Sequence, residues 1–205
     1  MPEEIISKKT QSNLEILKKS CLIAGFYLAG GTGLALYLNH RLSVDLDFFS
    51  EKEFNSKPLL QKIKKLGKFS VAKESENTLA GVFNGTKIAF LAYDYPLLFP
   101  LKKLGNINVA DIREIACMKI SAISSRGSKK DFIDLYFICQ QGISLKQALA
   151  LFERKYRGIH YNMVHILKSL VFFDDADNEP LPKMLVPVTW KQVKKFFQEK
   201  VKMNQ

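Results

Sequence analysis

Phe26-Tyr27-Leu28-Ala29 is a short apolar run that stops at Gly30-Gly31-Thr32. Leu34-Ala35-Leu36-Tyr37-Leu38 continues as a helix, and Val44-Asp45-Leu46-Asp47-Phe48-Phe49 then alternates as a strand does. A strand, a glycine turn, a helix and a second strand packed this tightly leave few ways to fold. The two glycines serve equally as a tight turn or as a place where backbone approaches a ligand closely. A helix starting there presents free N–H groups and its positive dipole end, which suits a phosphate.

Residues two apart on a strand share a face, about 6.5–7 Å apart. Asp45 and Asp47 therefore point one way, and Val44, Leu46 and Phe48 point the other, into a core. Two carboxylates so placed can converge on divalent metal, and Mg²⁺ takes one or two carboxylates together with substrate phosphates. Alone, the pattern reads more simply as a strand with a wet face. The helix after the glycines leads straight into it, however, so a phosphate cradle and a cation site would be neighbours.

The rest of the chain divides into two halves. Residues 4–20 carry Ile5, Ile6, Leu14, Leu17 and Cys21 as one apolar stripe of a surface helix. Leu59, Leu60, Ile63 and Leu66 with interleaved lysines predict a second amphipathic helix, stopped at Gly67. Residues 69–93 read as β-structure, with Asn84-Gly85 a strong hairpin signal. Asp111-x-x-Glu114 and Ser128-x-x-Asp131 read as capping boxes opening helices that end near Gly127 and Gly142. Further helices start at Ser144 and Thr189. The expected class is α+β, a mixed sheet with flanking helices (residues 1–108) followed by a helical region (109–205) that completes the site.

Lys and Arg number 31 against 20 Asp and Glu, a net charge of +11 that favours an anionic partner such as nucleic acid or nucleotide phosphates. Three widely spaced cysteines, Cys21, Cys117 and Cys139, form no CxxC pair and argue against a disulfide framework or a structural zinc site. The beginning lacks the basic and apolar regions of a signal peptide, and no apolar run approaches a membrane span. A reduced, cytoplasmic protein is the expectation.

Lys119 lies on the apolar stripe of its helix, with Ile115, Ala116, Ile120 and Ile123. A cation there needs a partner. A nucleoside triphosphate is one candidate, and a salt bridge to Asp131 or Asp134 is another. Arg41 could touch phosphate, whereas His40 suits a satisfied loop position. Arg126, Lys129 and Lys130 read as a solvated basic face that would also suit a nucleic-acid 3′ end. Asp174, Asp175 and Asp177 read as a solvated loop or helix caps.

Gly-Gly-Thr followed by Asp-Leu-Asp resembles the signature of the polymerase-β-like nucleotidyltransferase superfamily. The fuller string AGGTGLALYLNHRLSVDLDFF resembles its AbiEii/AbiGii branch, which includes the MenT toxins. KISAISSRGSKKDFIDLYFI, from Lys119 to Ile138, and FFDDADNEP at 172–180 resemble later motifs of that branch. The resemblance implies a toxin of a toxin–antitoxin pair that transfers a nucleoside monophosphate from an NTP to an acceptor hydroxyl. It implies Mg²⁺ (or Mn²⁺) on Asp45 and Asp47, with Asp131 a further functional acid. It implies NTP contact by Gly30, Gly31, Thr32, Arg41, Lys119 and Lys130, an RNA acceptor such as a tRNA 3′ end, and a cognate antitoxin. One departure stands out. The superfamily's third carboxylate, which helps activate the acceptor hydroxyl, is expected on the strand Thr86–Leu91, where the slot holds Ala89. Ala89 suggests one alternative, a non-catalytic nucleotide-binding module; a transferase acting on a small molecule of the aminoglycoside kind is the other.

Overall fold

The computed structural model describes residues 5–203. Its elements run α1 (Lys8–Lys19), β1 (Tyr27–Leu28), α2 (Gly30–Leu38), β2 (Leu46–Ser50), α3 (Ser56–Leu66), β3 (Phe69–Ser75), β4 (Thr78–Phe83) and β5 (Thr86–Ala92). They continue with β6 (Lys102–Leu104), β7 (Ile107–Val109), α4 (Ile112–Arg126), α5 (Lys129–Gln140), α6 (Leu145–Lys155), α7 (Met163–Ser169), α8 (Asp174–Asp177) and α9 (Trp190–Lys202). Among the described residues the strands form one mixed seven-stranded sheet, ordered β3-β4-β5-β2-β1-β7-β6. The expected class, with its helical second half, is what the chain adopts.

Alternation within the strands separates two cores. One face of the sheet (Leu28, Leu46, Phe48, Leu79, Phe83, Ile88 and Phe90) packs with Leu14 and Leu17 of α1 and Leu59 and Ile63 of α3. On the other face Tyr27 and Phe49 join Leu34 and the buried residues of α4, α5, α6 and α9. The second core draws on residues from both sides of position 108, a position that itself falls within β7. The Asn84-Gly85 turn has positive φ at both residues, 45° and 80°, as its hairpin requires.

Several local expectations give way to tertiary contacts. The first helix starts at Lys8, leaving Ile5 and Ile6 buried ahead of it and Cys21 exposed beyond it; residue 4 lies outside the described residues. The Asp-x-Asp strand begins at Leu46, so Val44 is 49% exposed instead of buried. Asp111 caps α4 through the Arg113 amide, but Glu114 does not complete a capping box. It is buried against the Lys155 ammonium at 2.7 Å and accepts from the amides of Leu98 and Phe99, tying the 93–101 loop to α4 and α6. The Ser128 side chain does not cap α5 either. Glu179 does so, accepting from Ser128 Oγ and the Lys129 amide at 2.8 Å each. The 172–180 motif thus includes the residue that fastens the start of α5. Asp177 pairs with Lys194 and accepts from the Trp190 indole, anchoring α9. The hairpin β6–β7 has a sequence signal, Gly105 at φ 60° followed by Asn106, that the charge of Lys102-Lys103 obscures.

Candidate active site

The glycine turn is shaped by what lies against it. Gly30 has φ 61°, and a Cβ there would stand 3.1 Å from Asp47 Oδ2. A Cβ on Gly31 would stand 2.4 Å from Arg41 Nη2, closer than any side chain tolerates. The first turn of α2 therefore approaches both Asp47 and Arg41 because it carries no side chains. Thr32, 1% exposed, faces inward. Its hydroxyl meets Ser43 Oγ at 2.7 Å and the Asp45 carbonyl, which ties α2 to the segment entering β2.

Asp45 and Asp47 both line a cleft of about 580 Å³, together with Gly30, Gly31, Arg41 and Ser43. That volume suits a small-molecule ligand. Phe49, Leu91, Met118 and Ala122 supply apolar lining, and Lys119 and Arg126 of α4 with Lys130 and Asp131 of α5 supply charged lining. Gly30, Gly31, Arg41, Asp45, Asp47, Lys119, Lys130 and Asp131 are thus brought together; Thr32 lies behind the lining. Pro182 and Lys183 were not anticipated at the cleft. They arrive because residues 183–185 run beside 40–42, with the Leu42 amide bonded to the Lys183 carbonyl at 2.8 Å and the Leu185 amide to the His40 carbonyl at 2.9 Å.

Behind the lining is a buried ionic cluster centred on Asp134. Its carboxylate takes Arg41 Nε at 2.7 Å and Nη2 at 2.8 Å, His40 Nε2 at 2.8 Å and Lys119 Nζ at 2.6 Å. Lys119 also donates to Asp131 at 2.7 Å, and Asp131 receives Arg126 at 2.7 and 3.0 Å. Lys119 thus has the two carboxylate partners its core-facing position requires, while it still borders the cleft. Burial alone would raise both carboxyls. Lys119 with Arg126 outweighs burial at Asp131, and Lys119, Arg41 and His40 do so at Asp134, holding both below the ordinary carboxylate value.

Asp47 is the opposite case. Burial first, and then the Asp45 carboxylate, hold its pKa above the ordinary value against the pull of Lys119, Lys130 and Arg126. A divalent cation would relieve both penalties. Among the described residues no group of three or more His, Cys, Asp or Glu side chains converges as a metal site. A two-carboxylate site fits Mg²⁺ that brings phosphate oxygens and water for the rest of its shell. Ala89 sits directly beside Asp47 on the adjacent parallel strand, in the position a third carboxylate would occupy.

A mixed sheet, a glycine turn at a helix start, Asp47 on the neighbouring strand and Asp45 just before it make an arrangement consistent with a nucleotidyltransferase of the polymerase-β-like type. The AbiEii family model (nucleotidyl transferase AbiEii toxin, type IV toxin–antitoxin system) matches residues 15–96 and 91–202, and the chain belongs to that family. It is 39% identical over 202 residues to the Aquifex aeolicus strain VF5 protein aq_aa25, covering 96% of each chain. The fold is similar to that of MenT4, the nucleotidyltransferase toxin Rv2826c of Mycobacterium tuberculosis H37Rv, at TM-score 0.56 and 15% identity over 96% of this chain and 85% of that one. It is equally similar to JHP933 from Helicobacter pylori, at TM-score 0.56 and 16% identity over 95% and 89%. No helix among the described residues is long and apolar enough to cross a membrane.

Proposed function

We propose that the cleft binds a nucleoside triphosphate and transfers its nucleoside monophosphate to a hydroxyl of an RNA acceptor, a tRNA 3′ end being the candidate. The supporting observation is that Asp45, Asp47 and the Gly30-Gly31 turn share one cleft with Lys119, Arg126 and Lys130. Asp45 and Asp47 would hold Mg²⁺ or Mn²⁺, which supplies charge neutralisation at the attacking and leaving oxygens. The amides at the start of α2 receive phosphate oxygens, and Lys119, Arg126 and Lys130 balance the charge of the departing pyrophosphate. The acceptor oxygen bonds to the α-phosphorus, the bond from that phosphorus to the bridging oxygen breaks, and pyrophosphate leaves. Ala89 offers no base, and Asp131, held ionised by Lys119 and Arg126, has low proton affinity. Asp131 therefore acts by aiming those two cations, and the acceptor proton passes to solvent water.

Toxin function fits the family, and a cognate antitoxin would then be the protein partner; a cytoplasmic location fits both substrates. Incubation with labelled NTPs, Mg²⁺ and a tRNA pool tests the reading: labelled RNA and pyrophosphate should appear, and Asp45→Asn and Asp47→Asn should abolish both. Ala89 favours one second reading, a nucleotide-binding module without catalysis. That reading requires NTP binding with no pyrophosphate release from any acceptor.

A further inference from the structure

The helical half covers the sheet only in part. Cross-strand pairing puts Asp47, Ala89, Ala80 and Lys73 in one row across β2, β5, β4 and β3, all on the cleft face. Lys87 and Val82 pair in the next row of that face. This face is covered where Tyr27 of β1, Phe49 of β2 and Leu91 of β5 meet the helical core. Elsewhere on β3 to β5 it lies open: Lys73 and Lys87 are exposed, Val82 is 37% exposed, and Ala80 and Ala89 are half-buried. The opposite face of β4 and β5, with Phe69 of β3, is packed under α1 and α3.

The open face has one sign of charge. Glu74, the acidic residue of β3–β5, pairs with buried Leu79 and points to the α3 side, where Ser56 reaches it. Neither Lys73 nor Lys87 enters an ion pair among the described residues. Alanines at 80 and 89 keep the surface between these lysines and the carboxylates low.

Displacement at the α-phosphorus is in line, so the acceptor enters opposite the leaving pyrophosphate. With the pyrophosphate toward Lys119, Arg126 and Lys130, the acceptor comes from the β5 side. We propose that the uncovered β5–β4–β3 face is the acceptor-binding surface and that its occupant is an RNA strand, its end over Ala89 and its preceding phosphates at Lys87 and Lys73. This rests on the transfer reaction proposed above. From Asp47 to Lys73 is three strand spacings, about 14 Å, a reach that suits several linked nucleotides better than a small acceptor.

The test pairs two charge reversals of equal size. Lys73→Glu/Lys87→Glu alters the open face, and Lys64→Glu/Lys65→Glu alters exposed lysines on α3, on the far side of the sheet. Binding of a tRNA pool is measured across salt concentrations, with NTP affinity and transfer measured alongside. The first variant should bind RNA about tenfold more weakly at physiological salt, and its log–log salt slope should fall by about 1.4, two single-strand phosphate contacts. NTP affinity should be unchanged, and the α3 variant should stay within twofold of wild type throughout. Equal loss in both variants, or loss in neither, overturns the proposal. So does a face variant that loses binding of a protein partner yet keeps RNA binding and transfer. RNA binding needs no turnover, so absence of transfer by wild type refutes the reaction while the salt series still decides the surface.

Discussion

Asp134→Asn tests the ionic cluster that holds the cleft wall. Asp134 is fully buried and bridges the 40–41 segment to α4 through Arg41, His40 and Lys119. Asparagine keeps the volume but removes the charge, and its amide nitrogen must then face an Arg41 or Lys119 donor. Breaking a buried pair by removing one partner costs about 3–5 kcal/mol. For a chain of this length each kcal/mol moves Tm by about 2–4 °C, so the melting midpoint should fall by about 6–20 °C. Lys119→Met should cost less, about 1.5–3 kcal/mol, because Asp131 keeps Arg126 and Asp134 keeps Arg41. The sign of the pH dependence follows from Asp134's lowered pKa. Its stabilisation is complete above the unfolded carboxylate value near 4 and fades as pH falls toward the folded value. The gap between wild type and Asp134→Asn should be widest at neutral pH and narrow below about pH 4. Calorimetric melts of the three proteins from pH 7 downward check this. An Asp134→Asn midpoint within about 2 °C of wild type, or a Lys119→Met protein less stable than it, would refute the reasoning.

Asp47→Asn should raise the melting midpoint at neutral pH without ligand, since the raised pKa marks an ionised form that costs stability as pH climbs through it. The same variant should lose the Mg²⁺-dependent stabilisation by NTP that wild type gains, which thermal shift with and without both ligands reads directly. Gly31→Ala, favourable by helix propensity by up to about 1 kcal/mol, should instead destabilise by about 1–3 kcal/mol because its Cβ displaces the Arg41 guanidinium; urea unfolding gives the sign. Glu179→Ala should cost about 1–2 kcal/mol as α5 loses its cap, and amide exchange should speed at Lys129 and its neighbours first.

What the sequence made legible was local. Glycines at 30 and 31, alternation from Leu46 through Asp47 and Phe48, the Asn84-Gly85 turn and the stripe carrying Lys119 each depend on short spacings, and each lies where those spacings place it. What stayed hidden depends on partners far along the chain. Glu114 looks like a capping residue because Asp111 three positions before it allows it, yet Lys155 claims it. Arg41 reads as a free phosphate contact until α5 brings Asp134 to it. The uncovered face of β3–β5 follows from where the helices stop, which no residue in those strands announces.

The pairing of residues 183–185 with 40–42 bears on the order of events during synthesis. The sheet and its α1–α3 face can form early, but the backing of the glycine turn needs α5, then Glu179 at its start, then the returning segment against His40 and Leu42. The last of these closes a loop of well over a hundred residues, the slowest kind to form. Nascent chains would therefore carry Asp45 and Asp47 without the backing of residues 183–185 until nearly the whole chain had left the ribosome, and a product truncated before Glu179 would lack both that backing and the cap of α5. In a member of the AbiEii family, the cleft is thus completed only late in synthesis.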